Sequence, residues 1–250
     1  MKKIYVSDLI CVNDSIEETK AFFEKNNIRK IEFFIENQDI EHTKKLKFLL
    51  ENLKTESVSF HASYRYFRLT CLEEKWYLME NDFKKSLEIC KKYNGDFIVL
   101  HTNEELPGEI IDKIVLEKRI QKLVELGKEK GIKVVIENVG IGRNMLYNQD
   151  EYIELIKKYN FYSLIDVGHA IANKWDLTKI ITELKENIIA YHFHNNDGER
   201  DLHNSIYNGE LDYEKIIFLI KENTSEANIV LEYSAVTPKK EILETLEKLS

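Results

Sequence analysis

Eight short runs rich in isoleucine, valine and phenylalanine recur along this chain, and each gap between them is long enough for a helix. The runs are KIYVSDL (3–9), KIEFFIE (30–36), SVSFHA (57–62), DFIVLHT (96–102), KVVIENV (133–139), SLIDVGH (163–169), IIAYHFH (188–194) and NIVLEYS (228–234). Between them, segments such as SIEETKAFFEKNN, EHTKKLKFLLENL and EKRIQKLVELGKEKG carry apolar residues at helical spacing. Strands that are apolar almost throughout are buried on both faces, the condition met by a parallel sheet covered with helices. Eight such units in 250 residues match the size of a closed (β/α)8 barrel. The spacing therefore predicts an α/β fold, a TIM barrel over residues 1–250 as a single domain. A doubly wound open sheet is the alternative, but no GxGxxG follows the first run to support it. Pro238, ahead of a final lysine- and glutamate-rich segment, predicts a helix start.

Composition narrows the setting. A hydrophobic fraction of 43% supplies a core, yet no apolar run approaches the roughly 20 residues of a membrane span. The N-terminal MKKIYVSDLI enters an alternating pattern at once and lacks the apolar stretch of a signal peptide. Three scattered cysteines without CxxC exclude a disulfide framework or a cysteine zinc knuckle, and a cytoplasmic protein is expected. The formal net charge of −8 argues against non-specific nucleic-acid binding.

In a barrel, side chains at the C-terminal strand ends face the catalytic mouth. Those ends read His61, His101, Glu137, Asp166 with His169, His194 and Glu232, and the loop after the seventh strand adds Asp201 and His203. Carboxylates gathered in one poorly solvated mouth repel one another unless a positive charge lies among them. Imidazoles and carboxylates without a thiolate are the donors of a divalent ion, so the pattern predicts a metal site. His192 and His194 share a face, two residues apart. His194 belongs at the ion and His192 one layer deeper, in the core or supporting the ligands from behind.

The fragments FHASY, VLHTN, VIENVG, LIDVGHA, HNNDGERDLH and VLEYS stand in the order in which the xylose isomerase-like TIM barrel superfamily places its ligand motifs. The chain resembles that superfamily over essentially its whole length. The resemblance to the sugar phosphate isomerase/epimerase branch implies one divalent ion (manganese, zinc, magnesium or cobalt) held by Glu137, Asp166, His194 and Glu232. It implies proton transfer at carbon by Glu137 and Glu232 through a metal-stabilised enediolate, with His169 and Arg200 on substrate oxygens. The resemblance to the endonuclease IV branch implies instead three zinc ions and cleavage at abasic sites in DNA. There His61, His101 and Glu137 take one ion and Glu137, Asp166, His194 and Glu232 the second. His169, Asp201 and His203 take the third, and Tyr64 contacts DNA. Against that branch stand the short interval from His194 to Asp201, the compact chain and the acidic charge. Tyr207 replaces the first glycine of the Gly-x-Gly usual after the D-x-H pair.

Four of the six arginines, Arg65, Arg68, Arg143 and Arg200, fall in the strand-to-helix loops of the presumed active face. Guanidinium forks suit phosphate or carboxylate, so they point to a sugar phosphate, a sugar acid or a DNA backbone; pairing with acids such as Glu73 and Glu74 is the plainer alternative. Trp76, Tyr66 and Phe67 either cover a sugar or pack the loop. The sequence thus favours a metal-dependent isomerase or epimerase of a small sugar or sugar phosphate. An abasic-site endonuclease and a non-catalytic metal- or ligand-binding barrel are the alternatives. No membrane partner is expected, and a homo-oligomer built through outer helices is compatible with the fold.

Overall fold

The structure is a computed structural model that describes residues 3–102 and 112–249. Its strands are β1 (Ile4–Ser7), β2 (Lys30–Phe34), β3 (Ser57–His61), β4 (Ile98–His101), β5 (Val134–Glu137), β6 (Tyr162–Asp166), β7 (Ile188–Phe193) and β8 (Asn228–Leu231). Each pairs in parallel with its neighbour, and β1 also pairs with β8, so the sheet is a closed barrel. Closure rules out the open doubly wound sheet. The helices are α1 (Ile16–Lys25), α2 (Ile40–Asn52), α3 (Glu73–Lys92), α4 (Lys113–Glu129), α5 (Gln149–Tyr159), α6 (Val167–Ala172), α7 (Leu177–Glu183), α8 (Tyr213–Asn223) and α9 (Lys239–Leu249). No helix among the described residues is long and apolar enough to cross a membrane.

Alternation along each strand separates two cores. Val6, Ile31, Phe33, Val58, Phe60, Ile98, Leu100, Ile165 and Phe193 point outward into the helix layer. Tyr5, Phe97, Val99, Val135, Leu164, Ala190 and Val230 fill the barrel interior. Below them, the Tyr5 and Ser57 hydroxyls both donate to Asp96, which also pairs with Lys3, sealing the N-terminal end. Above them, the inward positions turn polar. Burial at both ends of the alternation explains why the strands are legible as apolar runs.

Helix starts follow local chemistry. Ser15 and Asn148 form reciprocal capping boxes with Glu18 and Glu151, while Asp39, Asp112, Asp176 and Asp212 each cap a helix with a carboxylate oxygen. Asp166 does the same for α6, accepting from the His169 N–H at 2.6 Å. The run at 163–169 is therefore not one strand: the chain leaves the sheet at Asp166 and turns directly into a helix.

Candidate functional site

Six of the seven histidines converge with five carboxylates at the C-terminal mouth of the barrel. His61, Glu137, Asp166, His169, His192, His194 and Glu232 are all buried, as is Glu32 beneath them. Among the described residues they fall into five overlapping groups of metal-ligand spacing: His61 with His101 and Glu137, His169 with Asp201 and His203, His194 with His203 and Glu232, Glu32 with His192 and Glu232, and Glu137 with Asp166 and His192. The last three overlap in a central group, where His194 also reaches Asp166.

The outer groups share one construction. His61 Nδ1 pairs with the Ala62 carbonyl at 2.9 Å, His169 Nδ1 with the Asn138 carbonyl at 3.0 Å and His203 Nδ1 with the Glu232 carbonyl at 3.0 Å. A carbonyl only accepts, so each Nδ1 carries the hydrogen and each neutral ring presents a bare Nε2. His61 Nε2 then lies 2.8 Å from His101 Nε2, with Glu137 Oε2 3.0 Å from the latter. His169 Nε2 and His203 Nε2 each lie 3.2 Å from Asp201 Oδ2. Acceptor atoms brought this close require a cation or protons between them. In the central group, His194 Nε2 meets Asp166 Oδ2 at 2.9 Å, while His194 Nδ1 and Glu137 Oε2 are buried without a hydrogen bond. Orphaned nitrogen and oxygen donors with no thiolate among them fit a divalent ion of the zinc or manganese type.

The electrostatics agree. Burial alone would raise Glu137, but the imidazoles of His101 and His192 outweigh it and hold the carboxyl well below its usual range. At Glu232 burial wins and pushes the carboxyl up to about 8, against the pull of His192 and His203. Burial opposes charge on His203, yet Asp201 and Glu232 lift it to about 10. Asp166 with Asp201, and Glu232 with Glu32, likewise lift His169 and His192 well above the usual range despite burial. Without a metal, protons on these rings balance the carboxylates.

Residues not read as functional in the sequence hold the others in place. Glu32 receives His192 Nε2 at 2.8 Å and the Ser59 hydroxyl at 3.1 Å, which leaves His192 Nδ1 among the carboxylates of Glu137, Asp166 and Glu232. The Asn138 side chain brackets the Asp166 backbone, accepting from its N–H at 2.8 Å and donating to its carbonyl at 3.0 Å. Asn196 ties the loop of Asp201 and His203 to the Gly168 carbonyl at 2.8 Å. Gly209, at φ +156°, leaves room for Asn195 Oδ1 where a Cβ would come within 2.3 Å, so the loop closes with Tyr207 in place of a glycine. His203 itself adopts a left-handed φ of +48°, a strain of the sort found at binding sites.

The cleft above the groups has a volume of about 410 Å³ and is lined by Tyr64, Ile141, Asn144, Leu202 and Ser234 besides the groups themselves. The arginines are not on its described wall. Arg65 faces Glu36 at 3.8 Å, Arg200 pairs with Asp197 at 2.6 Å, and Arg143 is exposed at the rim. Arg119, not one of the loop arginines, takes Glu73 at 2.8 Å. Tyr66, Phe67 and Trp76 lie outside the cleft lining: Phe67 is buried, Trp76 belongs to α3 rather than the loop and stacks on Arg119, and Tyr66 is exposed.

A closed parallel barrel with histidines and carboxylates at successive strand ends defines the class: a TIM barrel built around a polar, metal-compatible mouth. The chain belongs to the xylose isomerase-like TIM barrel family, whose profile matches residues 21–250. Among curated proteins, Uncharacterized protein MJ1311 of Methanocaldococcus jannaschii is 22% identical over 262 aligned residues, spanning 98% of this chain and 89% of that protein. Among solved structures, a D-tagatose 3-epimerase-like protein superposes with a TM-score of 0.80 at 20% identity, covering 99% of this chain and 95% of its own. The IolI protein with a bound zinc atom gives 0.78 at 17%, covering 99% and 96%. The 3-keto-D-glucoside 4-epimerase YcjR of E. coli gives 0.76 at 13%, covering 100% and 99%. At these identities the likeness to the solved structures is one of fold.

Proposed function

We propose that the protein is a divalent-metal-dependent isomerase or epimerase of a small sugar-type hydroxycarbonyl substrate. The observation that carries this reading is the pair of carboxyls flanking one imidazole at the mouth. His192 Nδ1 lies 3.4 Å from Glu137 Oε1 and 3.3 Å from Glu232 Oε2, so carboxyls from β5 and from the end of β8 reach one imidazole from different strands, and one can take a proton while the other returns it. Glu137, from β5, takes a proton from the carbon beside the substrate carbonyl. Glu232, after β8, returns one from another side of the mouth. Glu32 orients His192 from beneath, and His169 and Tyr64 face the cleft where substrate oxygens would lie.

Glu137, Asp166, His194 and Glu232 would hold the principal ion, with zinc or manganese suiting the donor set. When bound, the ion supplies a positive charge that polarises the substrate carbonyl. The separate group of His169, Asp201 and His203, with that of His61, His101 and Glu137, favours a second reading, a three-zinc abasic-site endonuclease.

Metal content per chain and two assays divide the readings. The isomerase reading expects about one tightly held ion and solvent deuterium entering the carbon beside a sugar carbonyl. It also expects Glu137→Gln and Glu232→Gln each to lower turnover by at least about a hundredfold. Three zinc ions and nicking of abasic duplex DNA would overturn it. Full turnover in both glutamine variants would remove their proton-transfer roles.

A further inference from the structure

One ring nitrogen at the mouth reaches three carboxylates. His192 Nδ1 lies 3.3 Å from Glu232 Oε2, 3.4 Å from Glu137 Oε1 and 3.8 Å from Asp166 Oδ2. All three distances exceed the usual N–H···O range of about 2.7–3.2 Å. Donor atoms that share one ion, each about 2.0–2.2 Å from it, stand roughly 3–4 Å apart. The spacing is therefore that of ligands around a common cation rather than of a ring hydrogen-bonded to its neighbours. His194, by contrast, has an ion-pair contact with Asp166 alone among the described carboxylates. Strand parity by itself puts His192 behind the ligands; the distances put it among them.

The far edge of the ring is fixed. His192 Nε2 meets Glu32 Oε1 at 2.8 Å, and the Ser59 hydroxyl donates to Glu32 Oε2 at 3.1 Å. A carboxylate oxygen accepts, so Nε2 carries the hydrogen and Nδ1 is the nitrogen turned toward Glu137, Asp166 and Glu232. His61 stacks on the same ring, 17° from parallel with centroids 5.9 Å apart. Glu32, Ser59 and His192 are all fully buried. A ring N–H on a carboxylate, with the opposite nitrogen facing a group of donors, is the arrangement that orients a metal-binding histidine. A proton on Nδ1 could serve one of the three carboxylates at a time; a divalent ion between them and the ring serves all three.

We propose that His192 is a metal ligand through Nδ1, joining Glu137, Asp166, His194 and Glu232 on the principal ion, and that Glu32, steadied by Ser59, is the positioning residue that aims it. This rests on the mouth taking a divalent ion, which both functional readings require. It adds a second imidazole to the four ligands that the family resemblance implies, and a second imidazole tilts the centre from magnesium toward zinc.

The test uses the full chain with its histidines labelled in heavy nitrogen and loaded to saturation with NMR-active cadmium. Long-range proton–nitrogen correlations then show which nitrogen of each ring couples to the metal and which keeps its hydrogen. A ring with cadmium-coupled Nδ1 and protonated Nε2 is expected, and that signal should vanish in His192→Gln. Zinc calorimetry should show one site weakened at least about tenfold in His192→Gln. Glu32→Gln should weaken the same site by about 10–100-fold while the Nδ1 coupling persists, since the ring is still bound but less well held. The wild-type spectrum decides by itself if His192→Gln does not fold, because proximity to His61 identifies the His192 ring. Cadmium coupled to other rings but not to His192 Nδ1 overturns the proposal and leaves the metal reading standing. Unchanged zinc affinity in a folded His192→Gln protein overturns it as well. No coupling to any ring and no zinc binding removes the metal reading itself, and this proposal with it.

Discussion

Gly168, two residues after the end of β6, lies against the His194 ring. A Cβ placed there would stand 2.0 Å from His194 Cε1, 2.5 Å from Nδ1 and 2.7 Å from Nε2, where ordinary contact begins at 3.4 Å. Gly168→Ala therefore requires the imidazole to shift by about 1.4 Å, the difference between 3.4 and 2.0 Å. The ring has nowhere easy to go. It stacks on His203 with centroids 4.0 Å apart and is bonded to Asp166 on its other edge. Overpacking of this kind costs about 1–3 kcal/mol, which for a chain of this size lowers the melting temperature by roughly 2–12 °C. If His194 ligates metal, zinc or manganese affinity should also fall by roughly 10–100-fold, since a ligand displaced by an ångström loses its bond geometry. Thermal melts of the metal-free protein and calorimetric metal titrations read the two effects. Gly127→Ala is the control: its Cβ would meet Val134 Cγ2 at 2.3 Å, away from the mouth, so stability should fall while metal affinity holds. Wild-type affinity in Gly168→Ala, with the control behaving as expected, would refute the placement of His194 at the centre.

Three further outcomes are expected. His203, lifted to about 10 in the folded metal-free protein, contributes stability that is complete below its unfolded value near 6.5 and is lost as pH rises through about 10. The metal-free melting temperature should accordingly decline over that range, while zinc affinity climbs and proton release on binding shrinks, both read by calorimetry in two buffers. Asp8 behaves with the opposite character of a buried acid. Burial, only partly offset by His42, pushes it from 3.8 up to about 6, so the folded state binds the extra proton and stability falls as pH rises from about 4 to about 6. Asp8→Asn, which keeps an acceptor for the Phe34 N–H, should abolish that slope and melt higher than the parent at pH 7. Asn138→Ala removes both hydrogen bonds to the Asp166 backbone and should cost about 1–3 kcal/mol in urea denaturation, with a parallel loss of metal affinity; unchanged affinity would show that Asp166 and His169 need no such support.

The chain reveals its barrel readily because strands buried between an inner and an outer core must be apolar on both faces, and the eight runs are. Its strand-end residues are equally legible, since barrel geometry sends the last inward side chain of each strand to one mouth. Parity even separates His192 from His194. The strand at 163–169 is where this reasoning overshoots: Asp166 can end a strand or cap a helix, and only the cap it forms with the His169 N–H, with α6 following, decides between them.

Long, flexible cations resist such reading altogether. Arg65 and Arg200 lie in strand-to-helix loops, but a guanidinium turns toward whichever carboxylate the fold presents, here Glu36 and Asp197. Trp76 looked like a loop residue and is a helix residue stacked on Arg119. Glu32 and Glu36 sit in a run whose apolar neighbours mask them, and their surroundings come from β3, β7 and the loop after β3, distant in the chain. Local pattern by itself determined the barrel, its mouth and the inventory of imidazoles and carboxylates gathered there. Tertiary structure alone decided the direction in which each buried carboxyl and imidazole is shifted and which ring nitrogen faces a carbonyl, because burial and through-space charge are set by neighbours that sequence distance does not encode.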